Sequence, residues 1–207
     1  MKTLDNIIMQ RQSTRVFTDE IPEKALIEAI VEAGRLAPYA GIVQQRRDSF
    51  RHFFAVSREN PIMQPIMKLV EKSRLEIVDD AHAAGMAERW PEMVKVLDML
   101  YRKSADDMAA APWLIIIAEQ AGVPQREQVC LGHVMENMWL KATELELGAK
   151  PSSGIADIKD KAALCALLGL DANEDYAFDA LSVGYSKIPF QLRDGERKPL
   201  PSLRWFE

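Results

Sequence analysis

The sequence has few of the residues that build disulfide frameworks or metal centres. Its 207 residues include two cysteines, Cys130 and Cys165, and three histidines. The cysteines lie in apolar, helix-like stretches without the short spacing of zinc ligands, so we interpret them as buried thiols in a reducing compartment. The histidines, His52, His82 and His133, have no metal-ligand spacing either. We therefore expect neither a disulfide framework nor a metal site.

Long apolar runs and an excess of positive charge are also missing. No window approaches the roughly 20 apolar residues needed to cross a bilayer, and the N-terminus lacks the apolar core of a signal peptide. The 26 Lys and Arg residues stand against 31 Asp and Glu residues, which gives a net charge of -5 and no overall basic field for nucleic acid. We expect a cytoplasmic protein that binds neither membranes nor nucleic acid.

The composition that remains is that of a globular protein, with 48% hydrophobic and 28% charged residues. Such a chain can bury a sizeable core. Apolar periodicity predicts helices and strands along its whole length. The predicted helices cover residues 21–37, 61–80, 91–108, 131–145 and 157–168. The predicted strands cover residues 53–56, 113–118 and 178–185. This order predicts one α+β domain over residues 1–207, with a helical insertion at about 57–110.

Particular residues are predicted to begin or end these elements. Gly148 and Gly169 stand where glycine commonly ends a helix, and Asp157 is a plausible N-cap. Residues 81–90, which contain Gly85, are predicted to form a turn between two helices.

A short segment near the N-terminus concentrates groups that bind phosphate. Arg11, Ser13 and Arg15 alternate, so in an extended segment their side chains point to one side. Guanidinium groups match phosphate oxygens bidentately, and a serine hydroxyl adds a neutral donor. The alternative is a solvated basic stretch in front of a helix. Further cations follow in the C-terminal tail: Arg193, Arg197 and Lys198.

Six motifs, taken in order along the chain, resemble the pattern of FMN-dependent nitroreductases. They are residues 11–17, the helix into residues 36–38 with Gly41 and Gln44, the apolar strand after Ala111-Pro112, the helix ending at 145–148, the strand into 183–185, and residues 197–200. The resemblance covers nearly the whole chain except the insertion. It implies a central, mainly antiparallel sheet flanked by helices. It also implies an intertwined homodimer with two FMN sites at the subunit interface.

The resemblance assigns cofactor-binding roles to residues from several parts of the chain. Arg11 and Ser13, with Arg15 or its main chain, would hold the phosphate and ribityl end of FMN, and Arg197 would close on the phosphate. The full set that the resemblance implies is Arg11, Gln12, Ser13, Arg15, Pro38, Tyr39, Ala40, Gly41, Gln44, Pro151, Ser152, Ser153, Gly154, Arg197 and Lys198.

Two loops in this set would face the isoalloxazine ring. Residues 38–41 would come from the partner subunit and cover the ring, and Gln44 matches a polar residue near the flavin. The backbone of residues 151–154 would approach the reactive edge of the ring. Tyr39, where a small residue is common, would stack on a flavin or substrate, or else be buried packing.

The chain departs from the family pattern at three places. A second basic residue is usual at Gln12 and an asparagine is usual at Ile42, so both changes remove a polar contact to the cofactor. Residues 45–52 are longer and more basic than the usual stretch. Their arginines replace the lost contacts, face a phosphate of NADPH, or lie in solvent.

The resemblance implies an oxidoreductase that takes hydride from NADH or NADPH through FMN, in a ping-pong cycle, to a nitroaromatic, quinone or similar conjugated acceptor. The flavin carries this chemistry, so no catalytic side chain is assigned. Two alternatives stay open, because a fold does not determine one function. One is a degenerate flavin-binding carrier, sensor or regulatory protein. The other is a specialised member that fragments flavin, removes halogen or oxidises azolines.

Overall fold

The structure is a computed structural model that describes residues 2–42, 50–191 and 204–206. Within these ranges the chain forms seven helices and four strands. The helices are α1 (Leu4–Gln10), α2 (Lys24–Arg35), α3 (Met63–Ala83), α4 (Met86–Arg89), α5 (Pro91–Ala109), α6 (Glu127–Glu144) and α7 (Lys161–Leu168). The strands are β1 (Arg51–Ser57), β2 (Trp113–Gln120), β3 (Gly148–Pro151) and β4 (Tyr176–Gly184).

The four strands form one sheet in the order β1-β2-β4-β3, and each neighbouring pair is antiparallel. Every residue of β2 is buried, as its continuous apolar sequence predicts for a central strand covered on both faces. The prediction of an α+β chain with an antiparallel sheet flanked by helices is therefore confirmed.

Successive residues of β2 face two different hydrophobic layers, because side chains alternate along a strand. Leu114 and Ile116 pack in a layer with residues of α3 and α7, including Cys165. Ile115 and Ile117 pack in a second layer with residues of α2 and α6. Both cysteines are buried and free, as predicted.

The boundaries of several elements differ from those that the sequence predicts. α6 ends at Glu144, and the backbone takes the left-handed conformation two residues later, at Glu146, with φ of 62°. Gly148 therefore does not end this helix; it begins β3. α7 begins at Lys161 rather than Asp157, because the side chain of Asp160 accepts a hydrogen bond from the Ala163 N–H at 3.0 Å.

Other boundaries agree with the sequence or add an element. Gly169 ends α7 in the left-handed conformation, as predicted. The predicted turn at 81–90 contains the short helix α4 and the end of α3. Apolar periodicity did not reveal α1 and β3, which have seven and four residues.

Residues 58–112, which we call the α3–α5 excursion, connect β1 to β2. Ser57 and Trp113, the residues at its two ends, are register partners in the sheet. The excursion occupies the place of the insertion that the sequence predicts; its status as an insertion relative to the family stays a prediction, as does the single domain. Among the described residues, no helix is long and apolar enough to cross a membrane.

Candidate functional site

A cavity of about 420 Å³ opens where the N-terminal segment, β3 and the α3–α5 excursion meet. It brings together Ser13, Arg15 and residues 151–154, which the resemblance assigns to the cofactor. The full lining is Ser13, Arg15, Arg74, Leu100, Tyr101, Ser104, Asp107, Met108, Lys150, Pro151, Ser152, Ser153 and Gly154.

The segment around Thr14 runs beside β3, and this pairing directs Ser13 and Arg15 outward. The Thr14 N–H donates to the Ala149 carbonyl at 3.0 Å, and Ser13 forms a parallel bridge with Ala149. Thr14 is buried, whereas Ser13 and Arg15 are exposed. This alternation is what an extended backbone requires, and it presents one hydroxyl and one guanidinium to the cavity.

The loop after β3 is held to the sheet by Ser152. Its N–H donates to the Ala180 carbonyl at 2.7 Å, and its hydroxyl shares a hydrogen bond of 2.6 Å with the buried hydroxyl of Ser182. The chain then turns. Among the hydrogen bonds of the described residues, none is donated by the N–H of Ser153 or Gly154. Two backbone donors beside the cavity are thus available to a ligand.

The charge around the cavity is mainly positive. Arg15, Arg74 and Lys150 line it together with one carboxylate, Asp107. Burial lowers the pKa of Lys150; Asp107 opposes this shift, and Arg15 and Arg74 add to it. A site with this balance suits an anionic group, because an anion relieves the mutual repulsion of the three cations.

Arg74 was not found from the sequence. Its Nε donates to Asp157 Oδ2 at 3.0 Å, and its Nη2 donates to Ser153 Oγ at 3.4 Å. The guanidinium also lies 4.4 Å from the centre of the Tyr101 ring. These contacts join residues far apart in the chain, so no local spacing predicts them. Lys150 did carry a local signal, since it directly precedes the loop of residues 151–154.

Arg11 and Gln12 do not line this cavity. Arg11 Nε lies 3.1 Å from the Glu136 carboxylate, and its guanidinium stacks over Trp139. Gln12 accepts a hydrogen bond from Trp139 Nε1 through its carbonyl and donates to the Pro189 carbonyl through its side chain. The structure therefore places these two residues next to the cavity-lining segment. Their roles in cofactor binding stay predictions.

Residues 38–41 also lie outside the cavity lining. The Ala40 N–H donates to Cys130 Sγ at 3.3 Å, and the Tyr39 hydroxyl donates to the Gln120 carbonyl at 3.3 Å. Tyr39 packs against Phe50, with the ring centres 4.4 Å apart. The loop is thus packed on the end of β2 in its own chain. Gln44, Arg197 and Lys198 lie outside the described residues.

A buried ion pair supports the loop of residues 38–41. Arg51 Nε donates to Glu119 Oε2 at 2.6 Å, and the two side chains are 4% and 0% exposed. Arg51 also donates to the carbonyls of Ala37, at 2.9 Å, and Pro38, at 3.3 Å. Of the three alternatives left open for the arginines of residues 45–52, solvent exposure is wrong for Arg51. Burial raises the pKa of Glu119, and Arg51 opposes that shift.

Comparison with known proteins gives a family and a fold. A model of the nitroreductase family matches residues 8–185. No curated protein sequence shows a significant match to the chain. A solved nitroreductase with bound FMN from Bacteroides fragilis is 20% identical, with a TM-score of 0.64 and 100% of both chains covered.

Two other solved structures cover nearly all of the chain. Oxidised iodotyrosine deiodinase bound to FMN and 3-iodo-L-tyrosine is 18% identical, with a TM-score of 0.66, 98% of this chain covered and 100% of the other. A mutant FMN- and NADPH-dependent nitroreductase from Sphigopyxis is 17% identical, with a TM-score of 0.63, 99% of this chain covered and 100% of the other. At such identities the likeness shows a shared fold, and that fold is nitroreductase-like.

Proposed function

This chain belongs to the nitroreductase family, and from that membership we propose that it is an FMN-dependent oxidoreductase. In this proposal it takes hydride from NADH or NADPH and passes electrons to a nitroaromatic, quinone or similar conjugated acceptor. The observation that carries the proposal is the cavity lined by Ser13, Arg15, Lys150 and the loop at 151–154, in which the N–H groups of Ser153 and Gly154 donate no hydrogen bond among the described residues. FMN is bound in structurally similar proteins.

The residues around the cavity fit FMN in charge and in donor type. A phosphate monoester carries close to two negative charges near neutral pH, and Arg15, Lys150 and the Ser13 hydroxyl supply charge and donors for it. The backbone at Gly154 has no room for a larger side chain. A Cβ added there would lie 2.8 Å from Val70 Cγ1 and 3.0 Å from Met108 Sδ. Glycine therefore lets the loop lie directly on the excursion, beside the cavity.

When bound, FMN would supply the two-electron chemistry itself. The protein would hold and orient it. Arg15 and Lys150 would neutralise negative charge, and the N–H groups of Ser153 and Gly154 would donate to the edge of the ring. Preorganised donors of this kind stabilise charge that develops during a reaction. No side chain is required to act as a nucleophile or a general base.

The proposal includes a homodimer in which residues 38–41 cover the partner's cofactor. These residues do not line the cavity of their own chain, so a role in covering FMN requires a second subunit. The exposed apolar side chains Leu4, Ile8 and Leu36 on and beside α1 and α2 are the kind of surface that a permanent dimer buries. A cytoplasmic location belongs to the same proposal.

The test is an absorbance spectrum of the purified protein during titration with FMN, followed by anaerobic addition of NADPH or NADH. We expect a yellow protein whose flavin bands bleach on reduction and return when a quinone is added. A protein that stays colourless and takes up no FMN would overturn the proposal. Bound flavin that neither nicotinamide bleaches would instead support the carrier or sensor alternative, which the departures at Gln12 and Ile42 motivate.

A further inference from the structure

The loop that would face the flavin is packed against the α3–α5 excursion. A Cβ added to Gly154 would lie within 3.2 Å of atoms from Val70 and Arg74 on α3 and from Met108 on α5. Val70 and Met108 are buried. The excursion therefore forms the support on which this part of the loop rests, as well as one wall of the cavity.

Arg74 makes the polar part of this contact. Its side chain is 10% exposed and lies 3.0 Å from the Asp157 carboxylate. Asp157 in turn donates its N–H to the Ser153 carbonyl at 3.1 Å, and Arg74 also reaches the Ser153 hydroxyl at 3.4 Å. The guanidinium therefore contacts both ends of a single turn.

Tyr101 limits the positions that the guanidinium can adopt. Tyr101 belongs to α5, and the centre of its ring lies 4.4 Å from the Arg74 guanidinium on α3. A planar cation stacked on an aromatic ring and paired with a carboxylate has few alternative rotamers. The turn at 153–157 is therefore bonded to a guanidinium group whose own position is fixed by the Tyr101 ring.

We propose that Arg74 is a positioning residue that fixes this turn so that the N–H groups of Ser153 and Gly154 stay directed at the cofactor cavity. This inference rests on the proposed function, since it assumes that FMN occupies the cavity. It gives the excursion a role that neither the sequence motifs nor the fold assigns: the excursion preorganises the flavin-facing loop. A preorganised loop binds its ligand more tightly because less ordering is needed on binding.

The experiment compares Arg74→Met with Asp80→Asn. Arg74→Met keeps the aliphatic stem of the side chain and removes the charged guanidinium group with its N–H donors. Asp80 is 72% exposed and pairs with Lys159 at 2.8 Å, so it joins α3 to the same region of the chain away from the cavity. Two quantities are measured in each protein. One is hydrogen exchange at the Ile155 and Asp157 amides without FMN, and the other is the Kd for FMN.

We expect Arg74→Met to speed exchange at both amides and to weaken FMN binding about tenfold, as the loss of a hydrogen bond to a charged group would. Asp80→Asn should change neither quantity. Arg74→Lys keeps the positive charge but loses the planar guanidinium group, so its amide exchange rates and its Kd for FMN should lie between those of Arg74→Met and wild type. If Arg74→Met does not fold, Tyr101→Leu removes a ring that both stacks on the guanidinium and lines the cavity. It should weaken FMN binding about threefold and also speed exchange at the Ile155 and Asp157 amides, which a change in the cavity wall alone would not do.

The possible failures are distinguishable. If wild type binds FMN and Arg74→Met binds it equally well, the inference is overturned and the proposed function stands. Faster exchange with an unchanged Kd overturns the inference too, because the turn would then be loosened without effect on the cofactor. If wild type does not bind FMN, the proposed function is itself overturned.

Discussion

Lys150 lines the cavity together with Arg15 and Arg74. Burial and two neighbouring arginines lower its pKa below 10.5. We expect Lys150→Met to weaken FMN binding about tenfold, because a charge-assisted contact to the phosphate is lost. Titration with FMN at neutral pH measures this loss. Lys161→Met, which removes an exposed lysine paired with Asp175, is the matched control and should bind FMN as wild type does.

The lowered pKa of Lys150 also predicts a pH dependence. As pH rises through that pKa, the amine loses its proton and the affinity of wild type for FMN should fall. Over the interval from the lowered pKa up to 10.5 the unfolded chain binds more protons at this site than the folded chain, so the contribution of Lys150 to stability increases with pH. Lys150→Met should show neither this alkaline loss of FMN affinity nor this increase of stability with pH. An equal alkaline loss of affinity in the two proteins would contradict this role.

At this scale, the sequence predicted those cavity-lining residues that lie close together in the chain; that they bind FMN stays a prediction. Ser13 and Arg15 alternate within one segment, and residues 151–154 form one loop, so local pattern and family resemblance could place them. The contact of Arg74 with Asp157 joins residues 83 positions apart. It depends on the packing of α3 against the loop, which no short motif encodes.

Among the elements, β3 contributes Lys150 and Pro151 to the cavity and pairs with the N-terminal segment through the Ser13–Ala149 bridge. Gly148 begins β3, and a Cβ added there would lie 2.5 Å from Thr14 Oγ1 and 2.7 Å from Thr14 Cγ2. Gly148→Ala should therefore push the Ser13–Arg15 segment away. We expect a loss of about 1–3 kcal/mol in the free energy of unfolding, as for other overpacked sites, measured by urea denaturation, together with weaker FMN binding.

Gly132 is a matched control for this substitution. It lies in α6, is exposed, and an added Cβ would meet nothing within 4 Å. Alanine there should stabilise the protein by about 0.5–1 kcal/mol, because glycine is a poor helix former. Equal effects of Gly148→Ala and Gly132→Ala would show that β3 does not support the N-terminal segment.

The elements that the sequence predicted well are those with long, periodic apolar patterns. α3 buries side chains that recur along one face, and β2 is a continuous apolar run that is buried throughout. α5 was also predicted, although it buries only Val94 and Met108. β3 has four residues, too few for an alternation to be recognised. The prediction at Gly148 was wrong because the left-handed turn after α6 is made by Glu146, a residue type that rarely adopts it.

At the scale of the whole molecule, the proposed dimer predicts complementation between two defective subunits. Lys150→Met alters the cavity, and Tyr39→Ala alters the loop at 38–41. If that loop covers the partner's cofactor, a heterodimer of the two variants has one site with both defects and one site with neither. Purified heterodimer, carrying a different tag on each chain, should bind one FMN per dimer with wild-type affinity. If no site of wild-type affinity forms, the loop does not act on the partner.

The layered fold could be predicted from apolar periodicity, whereas the homodimer was predicted from the family resemblance alone and stays a prediction. The apolar run of β2 and the amphipathic helices determine a core, since burying them is the dominant favourable term in folding. The pairing of two subunits depends on surface shape, which periodicity does not describe. The three solved structures described above share this fold, although their sequences are 20% or less identical to this chain.

The excursion leaves the sheet at Ser57 and returns at its register partner, Trp113. Its length can therefore change during evolution without shifting the register of any strand. One wall of the cavity is built on β3 and the N-terminal segment, and another is built on the α3–α5 excursion. Under the proposed function, changes confined to the excursion would reshape one wall of the cavity, and with it the choice of acceptor, while the residues proposed to hold the cofactor on β3 and the N-terminal segment keep their places.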